Sequence, residues 1–196
     1  QAYRIEEVPE GVTPPLLRTS GLLTRSNKMM FDLETYSMFD TFTGEAVSGP
    51  LRDLGIVLPQ VTVVTSTWAE WKAAHPDTTI VAEDGGIGRT YSSDPLRGRD
   101  LDGPIFPIGA VDGRLPAQAK VFGVFAADGT PVAFPVSEAR AALASGQAVR
   151  LLGIELLADA GGVRAVDAEG REVPGHEAFW FAWSQFHGDT IVWDGE

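Results

Sequence analysis

The sequence predicts a mainly β fold: a β-rich α+β domain whose hairpins form a meander sheet, sandwich or barrel-like body with two short helices. Three observations carry this expectation. Short apolar runs are broken throughout by Gly, Asp, Asn and Pro, the residues that turn a chain. About a dozen such runs recur at the spacing of a sandwich or barrel. Only two segments carry start and stop signals for a helix.

In chain order, Leu16 to Leu23 and Lys28 to Asp32 flank Arg25-Ser26-Asn27, and Ser37 to Phe42 and Glu45 to Ser48 flank Thr43-Gly44. Lys120 to Ala126 and Pro131 to Pro135 flank Asp128-Gly129, a pair that tolerates positive φ and favours a tight hairpin. Gly161-Gly162 and Glu169-Gly170 punctuate a further meander from Arg150 to Val173. The first helix opens at Thr67 with Glu70 three residues on, a reciprocal cap, and should stop at about His75 before Pro76. The second runs from Ser137 to Ser145, with Ser137 as N-cap and Gly146 as the left-handed stop. Between the helices, Glu83 to Pro104 is a long Gly-, Asp-, Arg- and Pro-rich connection of the kind that is usually functional.

The 196 residues show no compositional break and are read as one domain, 1–196. With 27 acidic against 15 basic residues, the net charge of −12 repels phosphate backbones, so no nucleic-acid partner is expected. No apolar run is long enough to span a membrane. The chain has no cysteine, which removes disulfides, thiolate ligands and a cysteine nucleophile. It opens at Gln1 rather than Met, and an N-terminal segment is expected to precede it.

One pattern occurs twice. Trp68-x2-Trp71-x3-His75-Pro76-Asp77-Thr78 leads into Ile80-Val81, and Trp180-x2-Trp183-x3-His187-Gly188-Asp189-Thr190 leads into Ile191-Val192. The five shared identities stand at one constant offset. On a helix both tryptophans and the histidine would share a face. Paired tryptophans are most simply core, and the aromatic run from Ala178 to Trp183 suits a strand as well as a helix.

Further motifs occur in a fixed order: Ser20-Gly21-Leu22-Leu23, Met30-Phe31-Asp32-x2-Thr35, Gly44-Glu45-Ala46-x2-Gly49-Pro50-Leu51, the first Trp–His segment, Arg114-Leu115-Pro116, Ala133-Phe134-Pro135 and Phe179-Trp180-Phe181-Ala182-Trp183-x2-Phe186-His187. Over about Thr19 to Trp193 the set resembles an uncharacterised bacterial family known only as a domain of unknown function, common in exported and lipid-anchored proteins. The resemblance implies an extracytoplasmic location and a Cys-x-x-Cys segment just ahead of Gln1. Phe39, Leu96 and Gly188 stand where Trp, Tyr and Pro are usual. The resemblance implies no activity.

Candidate chemistry is therefore read from residue types. His75, His187, Asp77 and Asp189 offer imidazole and carboxylate ligands suited to copper, zinc or iron, and an upstream Cys-x-x-Cys would add sulfur to such a site. Asp32 and Glu34 could form a carboxylate pair for acid–base hydrolysis. There is no Gly-x-Ser-x-Gly elbow, and Ser20, Ser37 and Ser66 read as turn, strand or cap residues. Asp100-Leu101-Asp102-Gly103 lacks the later Glu of a calcium loop, and Gly85-Gly86-Ile87-Gly88-Arg89 lacks the Lys-Ser/Thr of a phosphate loop. The favoured reading is a non-catalytic exported domain that binds a metal or redox partner near the two Trp–His segments. The alternatives are a cell-envelope hydrolase using Asp32, Glu34 or a histidine, and a ligand-binding or scaffold module whose tryptophans and long loop frame a cleft.

Overall fold

The structure is a computed structural model, and it describes all residues except 26, 81–87, 89, 91, 94–106 and 196. Most of the long connection, the Asp100–Gly103 segment, Leu96 and most of the Gly85–Arg89 segment therefore lie outside the described residues. Strand accounts for 35% of the described residues and helix for 16%, and among them no sheet closes into a barrel, so the architecture is mainly β with added helices.

The first half builds two small sheets. β1 (Ala2–Tyr3) will pair with a later strand, while β2 (Leu17–Thr24), β3 (Asn27–Asp32), β4 (Met38–Asp40) and β5 (Ala46–Ser48) form an antiparallel meander in that order. A short helix α1 (Pro50–Asp53) follows, with Leu51 buried, and β6 (Gln60–Val61) pairs antiparallel with β1. Phe39, Ala46, Leu51, Ile56 and Leu58 form the core of this half, with Tyr3 and Leu17 against it. The Asp40–Gly44 turn is pinned locally: Asp40 Oδ1 accepts the Phe42 N–H at 2.7 Å, and Tyr3 Oη donates to the Phe42 carbonyl at 2.9 Å. Phe42 is thereby held pointing out of its own core into the next one.

Helix α2 (Trp68–Ala74) starts where the capping signal places it, with both halves of the Thr67–Glu70 box formed. After the undescribed stretch come β7 (Lys120–Phe125) and β8 (Pro131–Pro135), joined by the Asp128-Gly129 turn with Gly129 at φ 83°. Helix α3 (Val136–Ala144) begins at Val136 with Pro135 at the cap position, not Ser137; Ser137 Oγ instead donates to Glu138. A proline there costs no helical hydrogen bond, because the first amide groups of a helix have no partner within it. Ser145 is the C-cap and Gly146, at φ 83°, ends the helix from the next position. The remaining strands are β9 (Val149–Leu151), β10 (Ile154–Asp159), β11 (Gly162–Val166) and β12 (Glu172–Val173), an antiparallel meander. They are followed by β13 (Gly175–Phe179), α4 (Trp180–Phe186) and β14 (Ile191–Val192).

The sheet β13-β7-β8-β14 is the centre of this half. Alternation along β7 sends Phe122 and Val124 to one face and Val121 and Gly123 to the other. The first face packs on α3 and on the β9–β12 sheet through Phe134, Ala139, Val149, Leu156 and Val163. The second is covered by α4 through Trp180 and Trp183, with Phe42 from the first half joining them. Both faces are buried, which explains why β7 and β8 read as nearly unbroken apolar runs.

Candidate histidine–aromatic site

The repeated sequence pattern is a repeated piece of structure. In each copy an extended residue, Thr67 or Phe179, precedes a seven-residue helix, and the histidine is its C-cap: His75 at φ −129°, ψ 71° and His187 at φ −132°, ψ 73°. The cap amide bonds back to Trp71 O in one copy and Trp183 O in the other, at 2.8 and 3.0 Å. The indole N–H then reaches past the histidine to the threonine: Trp71 Nε1 to Thr78 Oγ1 at 3.0 Å, and Trp183 Nε1 to Thr190 Oγ1 at 2.8 Å. Each imidazole lies against its own indole, with centroids 4.2 and 4.5 Å apart. The spacing dictates this, because positions i and i+4 of a helix meet and the turn that follows returns the threonine to the indole edge.

The copies differ in what covers them. Trp180 is fully buried and Trp183 nearly so, whereas Trp68 is 48% exposed and α2 buries no residue. Glu70 of α2 rests against Gly161 in the β10–β11 turn and faces Arg140 of α3 at 3.7 Å, so α2 is anchored to the layer on the α3 side of the central sheet. α4 covers the opposite face. No ring contact, hydrogen bond or ion pair joins His75 to His187 among the described residues, and none of these carries a group of three or more His, Cys, Asp or Glu side chains arranged to hold a metal.

His187 is half-buried in an aromatic box. Besides Trp183 it meets Phe125 edge-on at 4.9 Å and tilts against Phe42 at 5.9 Å and Phe186 at 6.4 Å. Burial pushes its pKa down to about 4, and the guanidinium of Arg25 acts in the same direction. The ring is therefore neutral at physiological pH. No hydrogen bond occupies its ring nitrogens among the described residues.

Behind it lies His176 of β13, which shares Phe42 and Trp183 with His187, at 5.4 and 5.7 Å. It is almost fully buried, and burial pushes its pKa down to about 3. Both nitrogens are engaged: the Gln60 amide lies 2.7 Å from Nδ1 and the Gln1 amide 3.0 Å from Nε2. A neutral imidazole has one donor and one acceptor, so one of these amides turns its oxygen to the ring. The contacts also place the side chain of residue 1 against the histidine cluster.

Asp77 and Asp189 are both exposed. Asp189 lies close enough to Arg114 to help hold that guanidinium in its charged form. Arg114 also donates to the carbonyls on either side, Thr190 O at 2.6 Å and Gly188 O at 3.3 Å, is paired with Asp112 at 2.6 Å, and stacks over Trp180 at 5.2 Å. In the second copy, then, the histidine faces the aromatic box and the aspartate faces an arginine.

Asp32 is buried at the end of β3, and its oxygens accept from Leu16 N, Thr35 N and Thr35 Oγ1, each at 2.8 Å. Burial raises its pKa, but the bonds from Thr35 and Leu16 outweigh that and hold the carboxyl below the usual carboxylate range. With its one proton given to Asp32, the Thr35 hydroxyl accepts from Ser37 Oγ at 2.8 Å, and that Oγ accepts Leu51 N at 3.0 Å. This is the anchor of a turn, and the neighbouring Glu34 is exposed.

The sequence pointed to no role for His176, Phe42 or Arg114, although Arg114 stands in the Arg114-Leu115-Pro116 motif. His176 stands in no motif, and its two amide partners are 116 and 175 residues away along the chain. The signal that could have raised it is a histidine inside a short run otherwise suited to a buried strand, where an imidazole needs partners.

Among known families, the chain matches the sequence model described as protein of unknown function (DUF3179) over residues 2–169. No curated protein matches. No solved structure matches.

Proposed function

The chain belongs to the DUF3179 family of proteins of unknown function, and we propose that it is a single, extracytoplasmic, non-catalytic binding domain whose ligand-holding group is the neutral imidazole of His187. The ligand is a transition metal, copper, zinc or iron, or a redox partner that carries one. One observation carries this reading. Among the described residues no hydrogen bond occupies the ring nitrogens of His187, which sits in an apolar box, and the side chain of Gln1 packs on His176 directly behind that box. A ligating histidine must be neutral, and burial keeps His187 so without the proton competition an exposed imidazole meets.

Residues ahead of Gln1 would enter beside this cluster. The Cys-x-x-Cys segment that the family resemblance implies there would supply thiolates, which with imidazole form the mixed sulfur–nitrogen set preferred by zinc and copper. His75, with the same backbone geometry but an exposed ring, and the two aspartates would not be required.

Chelator competition with zinc(II) and with copper(I), on the full-length protein, tests this. One equivalent should bind, and His187→Ala should lose it while His75→Ala retains it. Full stoichiometry in His187→Ala would remove the proposal. Fractionation of the producing cells tests the location.

A further inference from the structure

Arg25, which lies over Phe186, also borders a concave part of the surface. A cleft of about 610 Å³ opens between the β2–β3 turn, the Pro107–Ala110 segment and α4, and is lined by Leu23, Arg25, Pro107, Ile108, Ala110 and Gln185. Its walls are fixed by hydrogen bonds: Gln185 Nε2 donates to the carbonyls of Ile108 and Ala110, and Arg25 donates to the carbonyl of Gln185. The Arg25 guanidinium lies 5.3 Å from the centre of the Phe186 ring, which orients its plane without neutralising its charge.

Arg25, like Arg18 and Arg52, faces no carboxylate among the described residues, whereas Arg4, Arg114, Arg140, Arg150, Arg164 and Arg171 are each paired with one. What distinguishes Arg25 from Arg18 and Arg52 is its place, lining the cleft with its guanidinium over the Phe186 ring. Leu23 beside it is 46% exposed, an apolar surface at the cleft. An oriented cation at the edge of an apolar wall is complementary to a molecule with one carboxylate and a hydrocarbon body.

We propose that this cleft binds a small organic carboxylate, with Arg25 holding the carboxylate and Leu23, Pro107 and Ile108 packing its apolar part. The proposal does not require metal at His187. Octanoate, titrated calorimetrically into the full-length protein, is the probe, with octylammonium and acetate for comparison.

Octanoate should bind; octylammonium, of the same length and opposite charge, and acetate, which lacks the tail, should each bind at least about tenfold more weakly. Arg25→Gln should weaken octanoate by about tenfold, and Arg25→Lys, which keeps the charge but loses the planar fork held over Phe186, should fall between Arg25→Gln and the wild type. Added salt should weaken binding to the wild type, which tests the charge contact without any variant. His187→Ala should leave octanoate binding unchanged, so the two sites fail separately. Equal binding of octanoate and octylammonium, or an Arg25→Gln protein that is folded by circular dichroism and binds octanoate as tightly as the wild type, would overturn the proposal.

Discussion

Trp183 donates its indole N–H to Thr190 across the C-cap of α4 at 2.8 Å, both residues buried, and Trp71 makes the same bond to Thr78 in a copy that is largely open to solvent. One sequence motif thus gives one local structure in two environments, and burial decides what each bond is worth. Replacing Thr190 by Val strands a buried indole donor and should cost about 1–3 kcal/mol. In Thr78→Val water can take over the donor, so the loss should stay below about 1 kcal/mol. Urea denaturation of the two variants checks the ordering.

Gly123 has no side chain because the six-membered ring of Trp183 occupies the space a Cβ would fill. Gly123→Ala should cost at least the 1–3 kcal/mol, very roughly, of an overpacked core, by pushing α4 off the sheet. Gly188→Ala meets nothing within 4 Å and should lie within about 0.5 kcal/mol of the wild type. Thermal unfolding separates the two.

The histidine cluster makes stability depend on pH in a stated direction. His176 and His187 have folded pKa values of about 3 and about 4, below the ordinary 6.5 of the unfolded chain. Between those values the unfolded state binds more protons, so stability is full above the unfolded pKa and is lost as pH falls towards 4. The slope is up to about 1.4 kcal/mol per pH unit for each histidine. His187→Phe should flatten this limb, as read from urea midpoints across the acid range.

Asp32 acts lower on the scale. Its pKa is held below the ordinary carboxylate value, so its contribution is present above that value and disappears as pH falls through the folded pKa. Asp32→Ala should remove the anchor of the Thr35–Ser37 turn at a cost of about 1–3 kcal/mol at neutral pH, leaving Leu16 N and Thr35 N without their acceptor. The urea midpoint measures it. The readout also bears on the chain folding as one domain, since a single transition followed by fluorescence and circular dichroism is expected.

Local physics was legible in the sequence, and long-range contacts were not. The Asp128-Gly129 hairpin and the Thr67–Glu70 cap depend on residues a few positions apart, and both form. The start of α3 was displaced because Pro135 takes the position a serine usually holds. α4 was ambiguous because aromatic residues suit a strand until a neighbouring sheet buries them on one side of a helix. α1, β1 and β6 are too short for periodicity to register, and the parallel pairing of β14 with β8 joins segments far apart in the chain. At the candidate site the motif revealed His187 and its indole, while Phe42 arrives from a turn in the other half and His176 from an unmarked strand.

The ring ¹⁵N resonances of His187, followed in full-length protein at neutral pH as zinc(II) is added, address the central claim most directly. A neutral imidazole before metal, and a shift of one ring nitrogen that saturates at one equivalent, is the expected result. An imidazolium signal before metal, or bound zinc with the His187 nitrogens unmoved, would contradict it.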